Sequence, residues 1–165
     1  MKIKSFLLAV FLLIRASFCN GQENWDTLLM DGFNNGSLEN WDIGPEWAIN
    51  QTDDNYFLTG KNHSWANCNQ GNLWTDYSLK LNIRIKSGYV HVNVRIGQVT
   101  FRRYMLGVSS AGFYLQKQIG EEFSHLEGKD ITIEEGIWHS LEVVVNGRQE
   151  LGLLNYKRGL HPATY

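Results

Sequence analysis

Between Ser78 and Lys86, apolar and polar side chains alternate without a break. Leu79, Leu81, Ile83 and Ile85 fall on one side, and Ser78, Lys80, Asn82, Arg84 and Lys86 on the other. A period of two is that of a β-strand with one face on a core. The pattern returns from Tyr89 to Ile96. There Val90, Val92, Val94 and Ile96 are expected to face inward, and Tyr89, His91, Asn93 and Arg95 outward. Ser87-Gly88 reads as a two-residue hairpin turn between these strands. Gly97-Gln98 turns the chain into a strand over 101–108, and Ser109-Ser-Ala-Gly112 turns it into one over 113–119. A polar connection leads to a further strand over 138–145, with Leu141, Val143 and Val145 on one face. Asn146-Gly147, a strong turn signal, follows it.

Upstream the pattern is less regular. Segments 26–33, 46–51 and 56–59 read as strands, with the loop Asn34-Asn-Gly-Ser-Leu-Glu-Asn40 after the first. No stretch keeps the 3.6-residue period of a helix, and there is no internal repeat and no linker-like segment. Short strands joined by turns predict an all-β sandwich or jelly roll. Composition agrees: 13% of residues are aromatic, and there are 16 Gly but 2 Pro, which suits strands and tight turns. A length of 165 residues supplies one core. The net charge of −2 argues against a nucleic-acid partner, which calls for a basic patch.

The chain opens with Lys2 and Lys4 ahead of an unbroken apolar run, Phe6 to Ile14. That run is too short to span a bilayer, which takes about 20 residues. It predicts a secretory leader over 1–21, and hence an extracellular or periplasmic protein with no membrane span. Lipidation at Cys19 is the weaker reading, because Phe18 before it is not small. Removal of 1–21 leaves Cys68 without an internal disulfide partner, so it reads as a small buried apolar residue. The mature chain then divides into a β-sandwich over 22–147 and an irregular tail over 148–165.

The run Leu29-Met-Asp-Gly-Phe-Asn-Asn-Gly-Ser-Leu-Glu-Asn-Trp41 resembles the opening of concanavalin A-like lectin/glucanase (laminin G-like) domains. Glu46-Trp47-Ala-Ile-Asn50 is similar to their second tryptophan strand, and Trp74-Thr-Asp-Tyr77-Ser-Leu79 to the entry of a central strand. Val94-Arg95 with Tyr104 and Leu106, and Gly136-Ile-Trp138-His139-Ser-Leu141, resemble two later strands. The series runs in order over 26–147. It is most similar to small secreted modules of the fructan-binding type and a related sugar-hydrolase domain. The resemblance implies a concanavalin A-like jelly-roll β-sandwich. Its closing strands have no counterpart after Gly147, so the fold is expected to be C-terminally incomplete, through a truncated or frame-shifted reading or a natural variant. Asp31 sits where many relatives place a structural calcium ligand. One carboxylate does not make a site for an ion that takes six to eight oxygens, so no cofactor is expected.

Catalysis finds little footing in these residues. Glycosidases need two carboxyl groups flanking one bond. Glu121-Glu122 and Glu134-Glu135 are adjacent pairs, whose members point to opposite faces of a strand. Ser140 follows His139 directly and cannot face it, no Gly-x-Ser-x-Gly elbow occurs, and the five His are scattered. A binding role is better supported. Tyr89, His91, Asn93 and Arg95 share a strand face, and pairing as a meander extends it to Arg103, Tyr114 and Gln116. Aromatic faces with planar amide and guanidinium donors suit sugars. Trp65, in the loop Asn62–Gly71, is a second candidate platform. The expected function is a secreted, non-catalytic, carbohydrate-binding module with a glycan or polysaccharide partner. A laminin G-type protein-interaction module and a fragment of a sugar hydrolase are the alternatives.

Overall fold

The computed structural model describes residues 11–17, 25–34, 36–52, 55–97, 99–146 and 150–158, with backbone alone for 11–17, 25 and 150–158. All regular structure there is β-strand. In chain order the strands are β1 (Phe11–Ser17), β2 (Trp25–Asp31), β3 (Trp41–Ile43), β4 (Trp47–Thr52), β5 (Asn55–Gly60), β6 (Ala66–Cys68), β7 (Tyr77–Arg84), β8 (Tyr89–Gly97), β9 (Arg102–Ser109), β10 (Gly112–Ile119), β11 (Glu122–Asp130), β12 (Trp138–Asn146) and β13 (Glu150–Arg158). Every pairing is antiparallel. The chain is therefore an all-β protein of antiparallel sheets, as its periodicity predicts. It forms two compact units, one spanning 85–136 and the other made of the described residues on either side of it.

The second unit carries a five-stranded sheet in the order β13-β12-β7-β1-β2, and the two hairpin-like pairs β3-β6 and β4-β5. Its buried apolar face comes from alternation on β7 and β12. Leu81 pairs with Leu141, Leu79 with Val143 and Tyr77 with Val145. Leu79, Leu81, Ile83, Leu141, Val143 and Val145 are all buried. Each such side chain contributes about 1.5–3 kcal/mol relative to exposure. On the opposite face, Ser78 donates to Glu142 at 2.7 Å, and Lys80 stands 3.4 Å from the same carboxylate. In the β4-β5 pair, Trp47 lies over Gly60, where a Cβ would come within 2.4 Å of the indole.

Three expectations are corrected here. Ser87-Gly88 does not close a hairpin: β7 and β8 belong to different sheets, and the chain passes between them with Gly88 at φ +77°. The polar connection after Ile119 contains β11, paired to β10 along its length through main-chain bonds that need no apolar pattern. The tail is not irregular throughout, since Glu150–Arg158 pairs with β12 as β13. In addition Phe11–Ser17, from the expected leader, forms β1 between β7 and β2.

The 85–136 unit is a four-stranded meander, β11-β10-β9-β8. Val90, Val94, Leu106, Val108 and Leu115 are buried. Val92 is half-buried rather than fully inward. Ile96 is 46% exposed, against the expected burial, because the alternation breaks one residue earlier.

Candidate functional site

Register on the meander decides which side chains meet. His91 pairs with Gly107, and Gly107 with Tyr114, making one row across β8, β9 and β10. Asn93, Met105 and Gln116 make the next row. Arg103 and Gln118 pair beyond it. Residues two apart along a strand share a face. The structure therefore brings Tyr89, His91, Asn93, Arg103, Tyr114 and Gln116 to one face, as the meander reading expects.

The ladder is interrupted at Arg95. Val94 pairs with Tyr104 and Gly97 with Arg102, so Arg95 and Ile96 together oppose Arg103. This is a β-bulge, with Arg95 at φ +54°. The extra residue ends strict alternation at Arg95 and Ile96.

An aromatic run crosses the face. The Tyr89 and His91 ring centroids are 6.3 Å apart, and those of His91 and Tyr114 are 6.1 Å apart at 64°. His91 Nε2 and the Tyr114 hydroxyl are joined by a hydrogen bond of 2.8 Å. The Tyr114 ring reaches His91 by lying over Gly107, where a Cβ would stand 2.2 Å from Cζ. Beside this run, Arg103 Nε donates to Gln118 Oε1 at 2.7 Å, and Gln118 Nε2 donates to the Gly120 carbonyl at 2.8 Å. The Arg103 guanidinium also lies 5.3 Å from the Phe101 ring centroid, within cation–π range. Its two anchors fix the plane of the fork.

Burial lowers the Arg103 pKa, and the neighbouring Tyr114 phenol opposes that shift. Burial pushes the Tyr114 phenol above its ordinary range; Tyr89 adds to the shift and Arg103 opposes it. At neutral pH the face thus offers a fixed cation and an un-ionised phenol. The Asn93 side-chain oxygen is buried and has no hydrogen-bond partner among the described residues. An unpaired buried acceptor is costly.

Gln118 and Gly107 were not expected at this site. Gln118 continues the alternation of Tyr114 and Gln116, so its place was available from the sequence. Gly107 carries the weaker signal that an isolated glycine in a strand marks a close approach.

Trp65 belongs to the other unit. It is 47% exposed and lines an open depression of about 640 Å³ with Asp42, Glu46, Asn62, His63 and Asn67. Trp41, Trp74 and Trp138 are engaged in packing. Trp41 packs on Phe33 with centroids 5.7 Å apart, Trp74 lies over Gly71, and Trp138 has Arg84 at 5.1 Å. Asp31 accepts from the Phe33 amide and the Trp41 indole, both at 2.9 Å, so each of its oxygens ties the 32–41 loop. Among the described residues, no group of three or more His, Cys, Asp or Glu is placed to hold a metal ion. Cys68 is half-buried, and burial raises its thiol pKa. Glu121, Glu122, Glu134 and Glu135 are exposed.

No family model, no curated protein and no solved structure matches the chain. Among the described residues no helix is long and apolar enough to cross a membrane.

Proposed function

We propose that the chain is a secreted, non-catalytic carbohydrate-binding module on a concanavalin A-like jelly-roll β-sandwich, and that the β8–β10 face is its binding site. The observation that carries this reading is the row His91–Gly107–Tyr114 set beside the anchored Arg103–Gln118 pair. Tyr89 and Tyr114 supply apolar ring area for the C–H faces of a sugar. Arg103 supplies a guanidinium held in one plane, which suits paired oxygens. Asn93 and Gln116 add amide donors and acceptors for hydroxyls. Binding groups already held in place lose little entropy when a ligand arrives.

The test is a glycan array on the intact protein, followed by titration of wild type and Arg103→Ala with the best ligand. Charge-assisted hydrogen bonds contribute about 1.5–3 kcal/mol, so Arg103→Ala should weaken binding roughly ten- to a hundredfold. A folded Arg103→Ala protein with unchanged affinity would move the site away from this face, with the Trp65 depression the next place to mutate.

A protein-interaction module of laminin G type is favoured by one other observation. Ile96, Val99, Phe101, Ile119 and Phe123 are all exposed at the end of the meander where the β8–β9 and β10–β11 turns lie side by side. Exposed apolar clusters mark interaction surfaces. An array without any hit on folded protein would give this reading the lead.

A further inference from the structure

β2 reaches the rest of its sheet through one strand. Among the described residues its ladder partner is β1, and β1 pairs on its other side with β7. β1 is Phe11–Ser17, which falls inside the expected leader. The two readings of this segment have different consequences. A leader is removed, whereas a strand between two others holds both of them.

Both ladders of β1 are antiparallel, so β2 and β7 run parallel to each other. They stand two strand spacings apart, about 9.5 Å. Without β1, β7 keeps β12 on one edge and loses its partners over 78–82 on the other. β2 loses its partners over the whole of 25–31. Unpaired main-chain donors and acceptors on two facing edges are unfavourable, and they form a template for another strand. The gap admits one strand, antiparallel to both sides. It cannot close as an antiparallel pair, because β2 and β7 have the wrong relative direction.

We propose that the space between β2 and β7 is a strand-acceptor site. Removal of the leader opens it, and it then takes one extended apolar segment from another polypeptide, antiparallel to both neighbours. The chemistry of the occupant follows from the segment seated there. Phe11-Leu-Leu-Ile14 is apolar, the ladders engage 11–15 on one side and 12–17 on the other, and no residue is proline. A proline in the middle removes an N–H that one of the two ladders uses. Main-chain bonds on both edges give such a peptide affinity, as in other cases of strand addition. This inference depends on removal of the leader and is independent of the glycan reading.

The test uses the full chain with a specific protease site inserted between Ser17 and Trp25. After cleavage, the N-terminal fragment is held by its hydrogen bonds alone. Fluorescent peptide spanning residues 8–20 is then added in excess, beside the same peptide carrying Leu13→Pro. Native mass spectrometry and hydrogen exchange over 25–31 and 77–84 are the readouts. The proposal expects uptake of one labelled peptide per chain, protection of 25–31 that depends on it, and at least tenfold weaker uptake of the proline peptide. Precipitation on cleavage that the labelled peptide prevents, and the proline peptide does not, also supports it. The proposal is overturned if 25–31 and 77–84 stay protected after the fragment is washed away and no peptide enters. Self-association or precipitation that the peptide does not reverse overturns it as well.

Discussion

The Tyr114 hydroxyl meets His91 Nε2 at 2.8 Å from two strands away, across the backbone of Gly107. Two features make this possible. Register puts the three residues in one row, and the absent Cβ at Gly107 lets the phenol ring lie flat on the strand between. With any other residue on β9 the ring would have to lift. The proposed site thus depends on a residue that has no side chain to present.

Gly107→Ala tests that dependence. The new Cβ would meet the far end of the Tyr114 ring, which can swing away, so the fold should survive with a loss on the order of 1 kcal/mol. The His91–Tyr114 bond should not survive. We expect at least a fivefold loss of glycan affinity, read by titration, with a thermal melt that remains cooperative. Unfolded protein would instead show that the close approach is needed for folding.

At the proposed site Gln118 would act on a ligand through Arg103, as a positioning residue. Gln118→Met keeps the volume and removes the acceptor that fixes the guanidinium plane. Affinity should fall several-fold, chiefly through a faster off-rate. Gln118→Glu keeps an acceptor for Arg103 and makes it charged but loses the bond to the Gly120 carbonyl, so affinity for the same glycan should recover in part. Equal losses in both variants would point to packing of the 8% exposed side chain rather than to orientation of Arg103.

How far the sequence reveals this arrangement depends on where each residue's energy comes from. β7 and β12 are legible because a core-facing strand must alternate, and Leu79 to Ile85 and Leu141 to Val145 do so. β11 leaves no such trace, because all nine of its residues are exposed and only main-chain bonds to β10 define it. The Phe6–Ile14 run is ambiguous by nature, since a leader and a strand buried on both faces share an unbroken apolar signature. The row Tyr89–His91–Asn93 follows from period two. The bulge at Arg95 and Ile96 does not show, because an arginine at positive φ gives no warning in the sequence. Grouping β8 with β7 fails for a related reason: Ser87-Gly88 supports a sharp turn without saying which sheet the chain enters next.

The phenol of Tyr114 gives a prediction in pH. Its pKa is raised, mainly by burial, so the folded state holds the proton more tightly than the unfolded chain does. The associated stability is complete below the ordinary phenol range, near 10, and is lost as pH rises through the folded value. In a spectrophotometric titration, the tyrosinate absorbance missing from Tyr114→Phe should be absorbance that develops above pH ~10. Stability of the wild type relative to Tyr114→Phe should fall over the same alkaline range and be flat at neutral pH. A difference spectrum that develops below that range would contradict the burial argument.

Asp31 carries the last prediction, and it concerns the fold. Phe33 is 1% exposed and sits at φ +57°, which is unfavourable for a bulky side chain. The Asp31 carboxylate holds it there by accepting from the Phe33 amide through Oδ1, and it fixes the neighbouring Trp41 indole through Oδ2. Asn40 adds a longer bond of 3.4 Å to the same oxygen. Asp31→Ala removes two good charge-assisted hydrogen bonds and leaves their donors to find water. A loss of about 3 kcal/mol is expected, which lowers the melting temperature of a domain this size by roughly 6–12 °C. Asp31→Asn separates the two bonds. Its one carbonyl oxygen can serve the Phe33 amide or the Trp41 indole, but its NH2 then faces the other donor. It should therefore fall between alanine and wild type, with Trp41 the group released, visible as a change in tryptophan fluorescence. Asp31 lies outside the 85–136 unit, so glycan affinity at the β8–β10 face should not change in either folded variant. A melt of Asp31→Ala that overlays wild type would mean that the packing of Phe33 on Trp41 holds the loop without the carboxylate.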